Sequence, residues 1–349
     1  MSPSSSDLSA PIAEALERVQ PGLEQVERAM KDQLASQSEA VALVGDHVLS
    51  SGGKRIRPAL LFFAAELCGY AGPRRVQIAA SVELLHTATL LHDDVVDLSE
   101  LRRGRPAAHA VFGNRRAVLV GDYLYARASS MIVEDGDPEI QWLFSDTIRR
   151  MAEGELLQLA RGFDPEGTEA VYFDVIERKS AALLSAAAEA GAILGAVTRA
   201  ERRRLAEFGR QIGLAFQLRD DALDYSGGED ELGKRPHDDL REGKVTLPLL
   251  LTFKRATPAE RGAISSLLKA LSRAAAHGDA APGERDVALS NVDLSPALAL
   301  VERYHGVADT VRRARKLAEA AVACIEPFPD GPGKRALIAA ADYAVGRAR

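Results

Sequence analysis

The sequence lacks sustained alternation between apolar and polar residues, and this absence is the strongest constraint on its fold. A strand with one buried face needs such a period-two pattern, whereas the Ala and Leu that are abundant throughout this chain favour helix. Aromatic residues, which are enriched in strands, make up only 5% of the chain. The sequence therefore predicts an all-α protein with helices of roughly 12 to 25 residues.

Clusters of Gly, Pro and polar residues separate the predicted helices from one another. They fall at 50–58, 69–73, 104–106, 134–138, 162–167, 226–246, 277–293 and 327–333. The segment 226–246 is long, highly charged and without helical period, which in a compact domain indicates a functional lid or a disordered insertion. The two longest breaks, 226–246 and 277–293, do not predict a domain boundary, because the helical pattern resumes on both sides of each.

Composition excludes several classes of protein. A net charge of −6, from 44 basic and 50 acidic residues, argues against a nucleic-acid-binding surface but leaves room for a local anion site. Cys68 and Cys324 are too few for a disulfide framework or a cysteine zinc site, which is typical of the reducing cytoplasm. The apolar stretch 181–197 contains Ser185 and Glu189 and is rich in Ala and Gly, so it predicts a buried helix rather than a membrane span.

One acidic pattern, D-D-x-x-D, occurs twice. Its two copies are Asp93, Asp94 and Asp97, and Asp220, Asp221 and Asp224. On a helix the first and last Asp of each copy lie one turn apart on the same side, where clustered negative charge favours a bound cation. Carboxylate oxygens suit Mg²⁺, which also takes water and substrate phosphates as ligands. A single copy is most often a solvated acidic face, but 24 Asp in 349 residues give only about 0.1 chance matches.

Other polar residues align with these copies. His86 lies two turns before Asp93, and Gln217 lies one turn before Asp221, although a lone His on an apolar helix is usually a satisfied core residue. Cations that could bind phosphate lie in the segments 52–58 (G-G-K-R-I-R-P) and 101–105 (L-R-R-G-R) and at Lys179, Lys234 and Lys244. A basic run is normally a solvated loop, but here its Gly residues allow the backbone to approach a ligand.

Together these segments, with V-G-D-Y-L-Y-A-R-A and the stretch F-Q-L-R-D-D-A-L-D-Y to L-G-K-R-P-H-D-D-L-R-E-G-K-V-T-L-P, closely resemble the trans-prenyltransferases. These are the head-to-tail isoprenyl diphosphate synthases, or polyprenyl synthetase family. The resemblance runs from about residue 10 to the C-terminal A-D-Y-A-V-G-R-A-R. It implies a single-domain isoprenoid synthase helical bundle around a deep central cavity, with a flexible N-terminus at 1–10 and the polyprenyl synthetase domain at 11–349.

The resemblance also implies a role for each matching residue. The catalytic set would be Asp93, Asp94, Asp97, Lys179, Asp220, Asp221 and Asp224, with up to three Mg²⁺ per site held by Asp93, Asp97, Asp220 and Asp224. Isopentenyl diphosphate would bind Lys54, Arg57, His86 and Arg103, and the allylic diphosphate would bind Arg102, Lys179, Ser180, Gln217, Lys234 and Lys244. Ser180 stands where the family usually has Thr, which retains the hydroxyl group.

The implied reaction condenses isopentenyl diphosphate with an allylic diphosphate in a homodimer. In this family a large aromatic residue four or five positions before the first Asp stops chain growth early. Small residues, Ala88 and Thr89, stand there, so we expect a long all-trans product of the octaprenyl, solanesyl or decaprenyl class, for quinone side chains. The opposing interpretation is that both residues only pack against a neighbouring helix and a deeper residue limits the chain.

The sequence also allows other interpretations of the function. A short-chain farnesyl or geranylgeranyl diphosphate synthase is the nearest alternative, and a non-catalytic partner subunit is another, although such subunits typically lose one Asp motif. A terpene cyclase would carry a different second motif from Asp220–Asp224. We expect a cytoplasmic enzyme; whether it contacts the membrane peripherally to release its apolar product stays open.

Overall fold

The computed structural model describes residues 9–102, 104–226, 237–275 and 284–346, and almost all of its regular structure is helical. The helices are α1 Ala10–Asp32, α2 Glu39–Leu49, α3 Ile56–Leu67, α4 Arg74–Val96, α5 Ala108–Phe112, α6 Asn114–Asp135, α7 Pro138–Ala160, α8 Glu169–Ile176, α9 Ala182–Leu194, α10 Arg199–Asp224, α11 Asp238–Arg241, α12 Leu247–Arg255, α13 Pro258–Ala275, α14 Glu284–Ser290, α15 Ser295–Arg303, α16 Gly306–Ile325 and α17 Pro332–Gly346. A π-helical turn, Glu177–Ala181, joins α8 to α9. The all-α prediction is confirmed.

The described strands form one small hairpin. Strand β1, Leu101–Arg102, pairs antiparallel with β2, Arg105–Pro106, directly after α4. This hairpin carries Arg102 back toward the end of α4. The predicted break at 104–106 therefore contains the second strand of a hairpin that begins next to the first Asp motif.

Local sequence signals explain several helix boundaries. The Asp137 side chain accepts hydrogen bonds from the backbone N–H groups of Glu139 and Ile140 at the start of α7, where Pro138 is the first helical residue. Thr198 and Glu201 form a reciprocal capping box at the start of α10. The predicted segment 277–293 differs from expectation, because α14 lies within it. The sequence did not predict α14 because its run of helix-favouring residues is short and is surrounded by polar residues.

The core lies where α9 is enclosed by α3, α4, α7 and α10. Most residues of α9 are buried, as predicted for the apolar stretch 181–197. The backbones of α3 and α9 approach closely at Gly191, where a Cβ would lie 2.7 Å from the backbone N of Ala65. Within the described ranges, none of the helices is both long enough and apolar enough to cross a membrane.

Candidate active site

The first Asp motif occupies the last turn of α4. Asp93 is partly buried, and its carboxylate lies 4.0 Å from the ammonium of Lys179, a residue that is distant from it in sequence. Asp97 follows the final residue of α4 and accepts a hydrogen bond of 2.9 Å from Lys244 Nζ. The buried apolar residues of α4 belong to the main hydrophobic core, and the two carboxylates lie at the edge of that core. Lys179 and Lys244, from two other segments, lie beside them there.

The middle residue of this motif, Asp94, has a different environment. Its side chain is buried, with 4% of the residue exposed, and it accepts a hydrogen bond of 2.9 Å from Arg102 Nε. A second guanidinium nitrogen of Arg102 contacts the same carboxylate oxygen. Asp94, Arg102 and the predicted ligand His86 together line a small cavity of about 30 Å³. Arg102 therefore anchors the hairpin to α4.

The second Asp motif occupies the end of α10 and is more deeply buried. Asp221, which is 2% exposed, accepts hydrogen bonds from the Tyr172 hydroxyl at 2.5 Å and from Gln217 Nε2 at 2.8 Å. Asp224 is fully buried, whereas Asp220 is exposed on the helix surface. One short pattern thus contains two buried carboxylates and one exposed carboxylate.

Two cavities lie beside these motifs, and the larger of the two is lined by residues of both. The first, of about 380 Å³, is lined by six of the predicted site residues, which are Asp97, Lys179, Ser180, Gln217, Asp221 and Lys244. The second, of about 310 Å³, is lined by Asp93, Asp97, Arg102, Lys179 and Lys244. Asp97, Lys179 and Lys244 border both, so the cavities belong to one cleft between the ends of α4 and α10. Asp220 and Asp224 are not among the lining residues of these two cavities.

The sequence did not indicate the acidic and phenolic partners in this cleft. Glu155 of α7 forms an ion pair with Lys179, and Glu242 accepts a hydrogen bond of 2.7 Å from Lys244. Tyr172 of α8 binds Asp221, as described above. Glu155 and Tyr172 stand in ordinary helical contexts, and their contacts join distant segments, so no signal in the sequence could have found them. Glu242 lies two positions before Lys244, within the D-D-L-R-E-G-K stretch that the resemblance includes, and that position was the available signal.

Burial and neighbouring charge set the pKa values in the cleft. Burial raises the pKa of the Asp93 carboxyl to about 6, although the Lys179 ammonium acts against this shift. Burial also acts to raise the pKa of Asp97, but the adjacent Lys244 outweighs it and the pKa lies below its usual range. Burial, aided by the charge of Asp239, raises the pKa of Asp221. Negative charge at Asp93 and Asp221 is therefore incompletely compensated by the protein.

The chemistry of these side chains fits a divalent cation. Within the described parts of the chain, no group of three or more His, Cys, Asp or Glu side chains is arranged to hold a metal. Mg²⁺ does not need such a preformed cage, because it commonly binds one or two carboxylates and keeps water or substrate phosphates. Asp93 and Asp97 present hard oxygen ligands at the cleft, and the raised pKa of Asp93 indicates that a cation beside it would be stabilising.

The residues predicted to bind isopentenyl diphosphate are more dispersed. His86 lines the small cavity beside Arg102, and Arg57 is partly buried at the start of α3. The ammonium of Lys54 lies 5.3 Å from the centre of the Tyr343 ring. Arg103 lies outside the described residues, as does Lys234 of the allylic diphosphate set. The structure brings His86 to the cleft side of α4 but does not define a complete binding set.

A neighbour of these residues, Arg55, anchors their loop. Its backbone is left-handed, with φ of 48°, and its guanidinium donates hydrogen bonds to Glu83 at 2.9 Å and to Glu27 at 3.2 Å. Glu83 is buried, so this pair fixes the segment 52–58 against α4. The basic segment is therefore partly structural, a role that the sequence analysis did not assign to Arg55.

The residues predicted to control chain length lie within packed structure. Ala88 is 1% exposed and belongs to the main hydrophobic core. The Thr89 hydroxyl donates a hydrogen bond of 2.8 Å to the carbonyl of His86 on its own helix. Neither residue lines the cavities described above, which is the arrangement expected from the opposing interpretation that both pack against neighbouring helices.

Comparison with known proteins identifies the family. The polyprenyl synthetase family model matches residues 38–281. The chain is 41% identical to the octaprenyl diphosphate synthase of Escherichia coli strain K12 over 324 residues, covering 93% of this chain and 95% of that protein.

Solved structures agree with this match. A polyprenyl synthase from Caulobacter crescentus CB15, complexed with calcium and isoprenyl diphosphate, is 37% identical with a TM-score of 0.85, and 99% of each chain is covered. A decaprenyl diphosphate synthase from Rhodobacter capsulatus is 36% identical with a TM-score of 0.84, covering 97% of this chain and 99% of that one. This chain therefore belongs to the polyprenyl synthetase family, a family of trans-prenyltransferases.

Proposed function

We propose that this chain condenses isopentenyl diphosphate with an allylic diphosphate, head to tail, to make a long all-trans polyprenyl diphosphate. One observation carries the proposal: Asp97 of the first motif and Asp221 of the second line the same cavity with Lys179 and Lys244. Carboxylates that suit metal ions and ammonium groups that suit phosphate thus converge from four separate segments. This combination favours a substrate that carries a diphosphate group.

The predicted residues would have different roles in binding the metal ions and the diphosphate. Asp93 and Asp97 would hold Mg²⁺ on the α4 side, with Asp220 and Asp224 on the α10 side and up to three ions in total. Bound Mg²⁺ would supply positive charge to the departing diphosphate. Lys179 and Lys244 border the same cavity and would stabilise the remaining phosphate charge, while Ser180 and Gln217 offer hydrogen-bond donors. Arg102 and Lys234 complete the proposed allylic set.

The proposed reaction needs no nucleophilic side chain. The allylic C–O bond breaks and diphosphate departs, and the double bond of isopentenyl diphosphate attacks the resulting carbocation. The departing diphosphate then takes the proton whose loss restores an alkene. The second substrate would be held by Lys54, Arg57, His86 and Arg103. The protein would act by orienting both substrates and by stabilising the charge that develops on the leaving group, which is the largest catalytic contribution in many enzymes.

A purified sample of the full chain tests this proposal directly. We expect incubation with isopentenyl diphosphate, farnesyl diphosphate and Mg²⁺ to give elongated products, and a chelator to abolish turnover until Mg²⁺ is restored. Chromatography of the dephosphorylated products would measure their length. Absence of product with every allylic primer would contradict the proposal and would favour the alternative of a non-catalytic partner subunit.

The long product, for quinone side chains, is proposed from the similarity to octaprenyl and decaprenyl diphosphate synthases and from the small side chains before Asp93. Replacing Ala88 with Phe should shorten the product if the growing chain passes along this face of α4. An unchanged product length would support the packing role of Ala88 instead. A wild-type product of 15 or 20 carbons would identify the short-chain alternative.

A homodimer is also part of the proposal. Leu119 and Val133 on α6, and Trp142 and Leu156 on α7, are between 62% and 72% exposed. Each pair is fourteen residues apart, close to four helical turns, so each pair lies near one side of its helix. Exposed apolar surface of this kind commonly marks an interface. Trp142→Glu should therefore lower the mass measured by light scattering.

We further propose that the polyprenyl synthetase domain extends over 11–349, beyond the matched segment. The support is that α1 and α17, which lie outside that segment, pack against each other and against α3 in the core. The proposal also includes a cytoplasmic location, with peripheral membrane contact during release of the apolar product.

A further inference from the structure

The helix that carries Lys179 is interrupted where it meets the cleft. Between α8 and α9 the backbone forms the π-helical turn Glu177–Ala181, which holds one residue more than an α-helical turn. Such turns are rare and often occur at functional sites, because the extra residue changes which side chains face a given direction. Here the turn places Lys179 and Ser180 in the lining of the 380 Å³ cavity.

Two glycines hold this turn from opposite sides. On α7, a Cβ at Gly154 would lie 2.7 Å from the backbone N of Lys179 and 2.8 Å from the Cβ of Arg178. On α10, a Cβ at Gly213 would lie 2.6 Å from the Cα of Ala181. Contacts of this length are not tolerated by real Cβ atoms, so either side chain would force the turn to move. The π turn is therefore clamped between two helix backbones.

The outward side of the turn is held by ion pairs. Glu177 accepts hydrogen bonds from Arg150 of α7 at 3.2 Å and from Arg210 of α10 at 2.9 Å. Arg178 donates to Glu153 of α7 at 2.9 Å. These contacts join the same two helices that supply the glycines, and they direct Glu177 and Arg178 away from the cleft while Lys179 faces it.

We propose that Gly154 and Gly213 are positioning residues for Lys179, acting through the π turn. This inference rests on the proposed function, because it takes Lys179 as a ligand of the allylic diphosphate. A methyl group at Gly154 would displace the backbone N of Lys179 and move its ammonium relative to Asp93 and Glu155. A displacement of about 1 Å at a catalytic group can cost about a hundredfold in activity.

A double-mutant cycle on the full chain tests the inference. Gly154→Ala, Lys179→Ala and the double variant would be compared by calorimetric binding of a non-reactive thio analogue of farnesyl diphosphate with Mg²⁺. We expect Gly154→Ala to weaken analogue binding about tenfold or more and to change the KM for isopentenyl diphosphate by less than about twofold. In the double variant, Gly154→Ala should add nothing to the loss caused by Lys179→Ala.

Two other glycines provide matched controls. Gly262 on α13 has open space where a Cβ would be, so Gly262→Ala measures the effect of the substitution alone in a helix. Gly191 on α9 is as crowded as Gly154, but its neighbours are Ala65 and Leu61 in the core. Gly191→Ala should lower thermal stability without a selective loss of analogue binding, which separates packing strain from the position of Lys179.

A second route avoids the risk that Gly154→Ala does not fold. Glu177→Gln removes the ion pairs of the turn with Arg150 and Arg210. Glu207→Gln removes another carboxylate bound to the same Arg210, at 2.7 and 2.8 Å, outside the turn. We expect only Glu177→Gln to weaken analogue binding, and this effect should also vanish in the Lys179→Ala background.

The outcomes distinguish this inference from the proposed function. Selective and non-additive losses for Gly154→Ala, Gly213→Ala or Glu177→Gln would support it. Losses that add to that of Lys179→Ala, or that are matched by Gly191→Ala and Glu207→Gln, would overturn it while the wild-type chain remains active. A wild-type chain without turnover would instead overturn the proposed function and this inference with it.

Discussion

The middle aspartates of the two Asp motifs, Asp94 and Asp221, occupy the same position of the same pattern, but the fold gives them different hydrogen-bond partners. Both are almost completely buried, with 4% and 2% exposure. Asp94 is bound by the guanidinium of Arg102, whereas Asp221 is bound by the neutral hydroxyl of Tyr172 and the neutral amide of Gln217. The first carboxylate meets a full opposite charge, and the second meets only dipoles.

This difference shows that a repeated motif does not repeat its electrostatics. A guanidinium stabilises an ionised carboxylate strongly, while neutral donors leave much of the desolvation cost of burial in place. The raised pKa of Asp221 reflects that remaining cost. We infer that charge at Asp94 is compensated by a protein cation, and that charge at Asp221 would gain more from a ligand cation.

The largest expected effect is on turnover, and it tests whether both motifs are required. Replacing Asp93 or Asp224 with Asn keeps the side-chain shape but removes one negative charge. We expect either substitution to lower kcat by about 10² to 10³, as is typical when one electrostatic contact to a transition state is lost. Product formation from isopentenyl and farnesyl diphosphates would measure this.

The control for these variants is Asp330→Asn, since the Asp330 side chain is 92% exposed and lines neither cavity of the cleft. It should remain within about twofold of wild-type activity. Activity of Asp224→Asn equal to that of this control would show that the α10 motif has no catalytic role. The two motifs would then be alike in sequence but not in function.

An intermediate effect on stability would sharpen the contrast between the two middle aspartates. Arg102→Met leaves Asp94 buried without its guanidinium, and we expect a loss of about 2 to 3 kcal/mol in the free energy of unfolding. Tyr172→Phe removes one hydrogen bond from Asp221 and leaves that of Gln217, so we expect a smaller loss of about 1 kcal/mol. Urea unfolding monitored by circular dichroism would measure both values.

Tyr125→Phe is the matched control for the tyrosine variant, because Tyr125 on α6 is 37% exposed. Its effect should lie within about 0.5 kcal/mol of zero. An equal loss for Arg102→Met and Tyr172→Phe would contradict the distinction between charged and neutral compensation.

The smallest expected effect is a difference in pH dependence, measured on chelator-treated protein. The folded pKa of Asp97 is lowered, so its stabilising contribution is present above the unfolded value of about 3.9 and is lost as pH falls through the lowered pKa. The folded pKa of Asp221 is raised, so its contribution is present below about pH 3.9 and is lost as pH rises through the raised pKa.

Urea unfolding between about pH 3.5 and 8 would reveal these opposite trends. Asp97→Asn should become more destabilising as pH rises, because the ionised carboxylate that binds Lys244 is then missing. Asp221→Asn should become less destabilising over the same range. Parallel profiles for the two variants would show that the carboxylates have the same environment after all.

Much of the fold follows from local sequence. Helix periodicity and the capping residues Asp137 and Thr198 act within a few residues of the chain, so they could be interpreted without a structure. The buried helix predicted at 181–197 appears as α9 for the same reason. Helix α14 was missed because its pattern is short and lies in a polar segment.

The candidate site was predictable only in part. The Asp motifs, Lys179 and Lys244 stand in recognisable patterns, and the structure brings members of both motifs to one cleft. Their partners Tyr172 and Glu155 have no pattern of their own, whereas Glu242 lies two positions before Lys244 in the same stretch. Nor could the sequence indicate that Arg55 would serve as an anchor in a segment whose other cations were predicted ligands.

The sequence alone determined the helical class, the family and the identity of the main charged groups, because these depend on residue type and local spacing. Only the tertiary structure decided which charges meet: Lys244 reaches Asp97 across 147 positions of the chain, and Tyr172 reaches Asp221 across 49. Electrostatic energy depends on distance and burial, and both are set when separate helices pack. The same D-D-x-x-D pattern therefore has two different environments within one cleft.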